Sequence, residues 1–106
     1  MAWFKRGKSQ GPTIDREAHR GDMEHLEQFV RTRQGVEAFL EPRTMMTQTT
    51  IMLIAHDGEW TRRRVMSPDA ARRWAHELHV PFYEVALVGY PQRMRDYNAR
   101  HKRATG

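Results

Sequence analysis

Apolar residues recur along this chain with two periods, and the switches between them divide it into elements. Met23, Leu26, Phe29 and Val30 fall on one face at the 3.6-residue period, which predicts a helix. Asp22 stands where a side chain caps the first-turn N–H groups, Glu24 suits the positive end, Arg31 and Arg33 the negative end, and Gly35 a left-handed stop. Val36, Ala38 and Leu40 then alternate through 36–41 as a short strand, ended by Pro42. The stretch 47–55, with Ile51 to Ala55 apolar on both faces, predicts a central strand. Asp57-Gly58 predicts a two-residue hairpin loop, and 60–66 its return strand. Such a loop sets Ala55 opposite Trp60, Leu53 opposite Arg62 and Ile51 opposite Arg64, with Ile54–Thr61 and Met52–Arg63 on the other face. Arginine on both faces marks the return strand as a sheet edge.

Ser67-Pro68-Asp69 opens a second helix: a cap, a proline at the first helical position and an acid in the first turn. Ala71, Trp74, Ala75 and Leu78 form its inward face, Arg72, Arg73, His76 and Glu77 its outward one, and Pro81 ends it. A fourth strand is read over 82–88, apolar on both sides, and broken by Gly89-Tyr90-Pro91. A short helix follows from Gln92 to His101, where Tyr90, Met94 and Tyr97 have the spacing to pack onto the sheet. The order α-β-β-β-α-β predicts a single small α+β domain. Its four-stranded mixed sheet carries helices mainly on one face, with a short C-terminal helix and a right-handed parallel crossover from the third strand to the fourth. The domain is placed at 21–103, after a disordered tail over 1–20 in which Trp3 and Phe4 are too few to anchor a membrane, and before a flexible end at 104–106.

The chain has 106 residues, enough for one modest core. No run approaches the ~18–20 apolar residues of a membrane span. Nothing behind Met1 to Lys8 resembles a secretory leader, and there is no cysteine, which fits a reducing cytosol and excludes disulfides, thiol nucleophiles and iron–sulfur ligation. The net charge of +5 is unevenly spread. Residues 12–60 carry five cations and nine acids, a net of −4, whereas 61–106 carry ten cations and four acids, a net of +6. Such asymmetry points to an anionic partner.

Few residues suggest catalysis. His76 and His79 are spaced i, i+3, without the further ligands or the positioned glutamate of a zinc motif, and read as solvated histidines at a helix end. Asp57 and Glu59 flank Gly58 but lack the nearby lysine of a nuclease site, and read as turn residues. Ser9 and Ser67 are the only serines, and neither lies in a nucleophile motif; no phosphate-cradling or dinucleotide glycine pattern occurs. No catalytic residue, metal ligand or cofactor site is assigned.

The basic residues remain. Arg62, Arg63 and Arg64 lie on the return strand, Arg72 and Arg73 on the second helix, and Arg93, Arg95, Arg100, Lys102 and Arg103 in the C-terminal segment. Arginine forks suit phosphates, and an exposed Tyr90 or Tyr97 would stack on unpaired bases. The expectation is a cytosolic, non-enzymatic module whose basic surface contacts RNA, the ribosome or another polyanion. The alternative is a protein-interaction or regulatory module, pairing with a protein partner or as a homodimer. The segments FLEPRT, GEWTRRRV and VGYPQRMRDYNAR also resemble a family of short actinobacterial proteins over roughly residues 36–103. Some of its members are labelled oxidoreductases. The resemblance implies redox activity as a further alternative, although no flavin, nicotinamide or haem site can be assigned to these residues.

Overall fold

The computed structural model describes residues 20–45 and 48–105. The expectations for the tail over 1–19, including Trp3 and Phe4, lie outside the described residues. Helix α1 covers 20–32, followed by β1 (Glu37–Glu41), β2 (Thr50–Ile54), β3 (Trp60–Arg64), α2 (Pro68–Glu77), β4 (Phe82–Glu84), α3 (Val85–Val88) and α4 (Gln92–Thr105). The strands form one mixed sheet in the order β3-β2-β1-β4, with β1 antiparallel to β2, β2 antiparallel to β3, and β1 parallel to β4. The architecture is the expected α+β domain.

Alternation along the strands divides the core in two. Ala38, Leu40, Ile51 and Leu53 point to one face and meet Leu26 and Phe29 of α1 and Ala71 and Ala75 of α2. Phe39, Met52 and Ile54 point to the other, where Trp60, Val85, Tyr90 and Met94 pack on them. Helices α1 and α2 thus share a face, and α4 takes the opposite one. The start of α2 follows its sequence signals: the Ser67 hydroxyl accepts from the Ala70 N–H at 3.0 Å, and Pro68 opens the helix. The helix ends at Glu77, before Pro81, where His79 adopts a positive φ of 58° and the Val80 N–H returns to the Ala75 carbonyl.

Four expectations need correction. Asp22 is not a cap, because residues 20 and 21 are already helical; its carboxylate instead lies 3.5 Å from Arg63 and 3.8 Å from Arg64. The hairpin loop has three residues rather than two. Gly58 donates to the Ala55 carbonyl, takes a φ of +96°, and leaves Ala55 N–H bonded to Glu59, the arrangement of a turn followed by a left-handed bulge. Asp57 supports it by accepting from the Glu59 N–H at 2.9 Å. The pairing therefore slips by one residue, with Ile54 opposite Trp60, Leu53 opposite Thr61 and Met52 opposite Arg62. Because side chains alternate, this slip moves Trp60 and Arg62 to the Met52 face.

The strand read over 82–88 stops at Glu84, and Val85–Val88 form a helical turn closed by Gly89 at φ +75°. Glu84 pairs with Leu40, one residue from the end of β1, and Pro42 then leaves no ladder for β4 to follow. The last helix runs on to Thr105, beyond the expected His101.

Candidate nucleic-acid interface

The position of α4 decides which cations face solvent. Gly58 makes its docking feasible: a Cβ there would lie 2.0 Å from the Arg93 carbonyl oxygen and 2.8 Å from Tyr97 Cβ. The Trp60 indole N–H donates to Asn98 Oδ1 at 2.7 Å, and Arg100 reaches the Asp57 carbonyl at 3.0 Å. Met94 packs on the Phe39–Met52–Ile54 cluster. Tyr90 does so too, while Tyr97 stacks on His101 with ring centroids 3.8 Å apart.

The basic residues then sort by partner. Arg93 does not face outward. Its guanidinium is held 2.6 Å from Glu37 and donates to the carbonyls of Ala55 and Ile54 at 2.9 and 3.3 Å. Arg62 grips Glu41 with two hydrogen bonds of 2.7 and 2.9 Å. Arg63 and Arg64 approach Asp22, and the Arg63 side chain also caps the outward carbonyl of Arg62 at 2.8 Å. Arg72 pairs with Asp69 at 3.0 Å, lies 3.9 Å from Glu84, and sits over the Phe82 ring. Five of the ten candidates are thus engaged by carboxylates.

The remaining candidates behave differently. Arg73 is exposed on α2, and Arg95 and Arg100 are exposed on α4; none has a carboxylate partner among the described residues. Arg95 donates to Gln92 Oε1 at 3.4 Å. Lys102 is exposed two turns along from Arg95, on the same outward stripe, and Arg103 belongs to the same helix. Arg73 rides on the opposite side of the sheet from this stripe. The β3 arginines are therefore engaged by acids, whereas Arg95 and Arg100 of α4 have no carboxylate partner among the described residues.

The tie at Glu41 has the strongest chemistry. Glu41 is 8% exposed, and besides Arg62 it accepts from the Thr50 hydroxyl at 2.7 Å and from the Tyr90 hydroxyl. Burial pushes its carboxyl up, but the hydrogen bonds from Arg62, Tyr90 and Thr50 outweigh burial, and the net direction is down. Its hydrogen bond raises Arg62, and burial followed by the same carboxylate raises Tyr90. An upward shift leaves the phenol protonated as a donor, which suits a structural clasp. A shallow cleft of roughly 220 Å³ also opens between α1 and β3, lined by His25, Gln28, Phe29, Arg33, Glu59, Trp60 and Thr61. Four of its polar groups are occupied with one another: His25 meets the Thr61 hydroxyl at 2.6 Å, and Arg33 grips Glu59 at 2.7 and 3.2 Å. Among the described residues no group of three or more histidines and carboxylates is arranged to hold a metal.

Sequence reasoning followed the cations and missed their partners. A signal existed at Glu37 and Glu41. They flank Phe39 on one face of an internal strand, where a carboxylate requires a cationic or hydrogen-bonding partner. No family model, curated protein or solved structure matches this chain.

Proposed function

We propose that this chain is a small binding module whose C-terminal helix contacts a polyanion, RNA or the ribosome in the first place, in the cytosol. The reading is carried by one observation: Arg95 and Arg100 are exposed without a carboxylate partner among the described residues, beside the exposed Lys102, whereas the β3 arginines face acids. Cations held by neighbouring carboxylates release few counterions on binding, so α4 supplies more of the expected salt-dependent affinity. Contact is to phosphate and is weakly selective for sequence.

Filter binding of mixed single-stranded RNA across a salt series tests this. Arg95→Glu and Arg100→Glu should each weaken binding and reduce the salt slope by about 0.7 per lost contact. Arg63→Glu should change it less. Absence of binding at low salt, indifference to salt, or equal sensitivity to Arg63→Glu would reject the assignment to α4. A second reading, a protein-interaction module, draws on the exposed Met66, Leu87 and Val88. Partners retained after nuclease treatment would favour it.

A further inference from the structure

The sheet ends in two edges, β3 and β4, and they are finished differently. Along β3, Arg62, Arg63 and Arg64 are consecutive. The Arg63 guanidinium takes the outward Arg62 carbonyl at 2.8 Å, and Asp22 lies 3.5 Å from Arg63 and 3.8 Å from Arg64. Dense charge and an occupied carbonyl guard an edge against a further strand. β4 carries a single charge, Glu84. Its ladder with β1 is parallel, with Ala38 opposite Phe82 and Leu40 opposite Glu84, and the Ala38 N–H donates to the Pro81 carbonyl. That pattern turns the backbone groups of Tyr83 toward β1 and those of Phe82 and Glu84 toward the open edge. The Glu84 carbonyl caps α3, which leaves the Glu84 N–H and both Phe82 groups for a new strand.

The side chains select that strand. Phe82 and Glu84 share the face of α2, where Arg72 lies over the Phe82 ring and 3.9 Å from Glu84. Tyr83 points to the other face, stacks on Phe39 with centroids 5.3 Å apart, and is 38% exposed. A two-fold axis normal to the sheet, passing between two Tyr83 residues, sets one β4 antiparallel to another. Phe82 of each copy then lies opposite Glu84 of the other, ~5.5 Å apart between Cα atoms, and each Glu84 N–H meets a Phe82 carbonyl. Glu84 arrives beside the ring on which Arg72 of the other copy rests, and a contact that is long within one chain gains a nearer counterpart across the axis. Tyr83 faces its own symmetry mate as an aromatic cross-strand pair. One base and one acid on the same face of one edge, at positions the axis exchanges, fit a second copy. A polyanion would meet Glu84 and Asp69 beside Arg72.

We infer that two copies of this chain pair through their β4 edges, antiparallel about Tyr83, and join their two four-stranded sheets into one. β4 has only three residues before α3 carries the chain away. The contact therefore falls short of the ~800 Å² per side of a standard interface, and the dimer should be weak and concentration-dependent. The outward stripe of α4 takes no part, so this inference and the polyanion reading stand or fall separately.

Sedimentation equilibrium of the full chain over a concentration series tests it, with circular dichroism to verify folding. The native chain should show reversible monomer–dimer behaviour, and amide exchange at Phe82 and Glu84 should slow as concentration rises while exchange along β3 does not. Arg72→Glu and Glu84→Arg should each weaken the dimer about tenfold, because the axis repeats each like-charge contact twice. Their equimolar mixture should recover it, and so should the two substitutions combined in one chain, since every base then faces an acid. Tyr83→Lys sets a charge against its own mate and should abolish pairing. A native chain that stays monomeric at its highest soluble concentration would overturn the inference. So would a dimer that protects β3 rather than Phe82 and Glu84, or a mixture no tighter than either charge variant alone.

Discussion

On the face beneath α1 and α2, twelve buried side chains form one apolar cluster; beneath α4, only Phe39, Met52 and Ile54 are buried in the second. The difference is made up at the rim. Arg93 ties α4 to Glu37 and to two backbone carbonyls, and Arg62 and Tyr90 close on Glu41. One face is therefore held mainly by area removed from water, which involves no titratable group. The other is held by a few directed bonds that fail when a partner is removed or titrated. Every buried side-chain nitrogen and oxygen among the described residues has a partner, so the rim bonds leave no unpaired group.

The largest effect should come from the apolar face. Leu53→Ala removes a fully buried side chain and should cost about 2–5 kcal/mol in chemical denaturation, with little dependence on pH between neutral and mildly acid conditions. Gly58→Ala attacks the other face at a single point. It places a Cβ against the Arg93 backbone and forces a φ of +96° on alanine. A loss of about 1–3 kcal/mol is expected, with amide exchange accelerated in α4 more than in α2. Equal acceleration in both helices would show that the two faces unfold as one unit.

Arg62→Ala strands Glu41. Arg62 is itself nearly half exposed, so the cost should fall below that of a fully buried pair, at about 1–2 kcal/mol. The same clasp sets an acid response. Glu41 is held below the ordinary carboxylate range, so its contribution is present above the unfolded value of ~4.3 and is lost as pH falls through the folded value. Thermal stability should drop in that window, and Glu41→Gln should flatten the drop; an unchanged pH profile in that variant would remove the clasp from the account.

The smallest effect concerns His25. Burial first, then Arg63 and Arg33, lower its pKa. A folded value below the unfolded ~6.5 means that stability is retained above ~6.5 and lost as pH falls through the folded value, where the unfolded chain binds the proton more readily. His25 is largely exposed, so the loss should be slight, and His25→Gln should erase it.

The elements were legible where local chemistry suffices. The 3.6-residue spacing of Leu26 and Phe29, the alternation of Ala38 and Leu40, the doubly apolar run at Ile51 to Ile54 and the Ser67-Pro68 start each act within a few residues. The misread positions depended on distant ones. Glu84 ends its strand because β1 meets Pro42, and Asp22 faces Arg63 from a helix that is already under way. The candidate site was legible only as a set of cations. Glu37, Glu41 and Asp22, which hold Arg93, Arg62 and the Arg63–Arg64 pair, lie far from them along the chain, whereas the Asp69 partner of Arg72 is three residues away.

Taken alone, the sequence determined the number and kind of most elements, the α+β class and the excess of positive charge in the second half. Those properties follow from residue type and short-range period. Tertiary structure decided the pairing of charge. A third residue in the hairpin loop slipped β3 by one position, turned Trp60 and Arg62 to the face of Met52, and let Gly58 receive α4. Alternation makes the side of every strand residue depend on register, so a single step in one loop put Arg62 on the face where Glu41 lies.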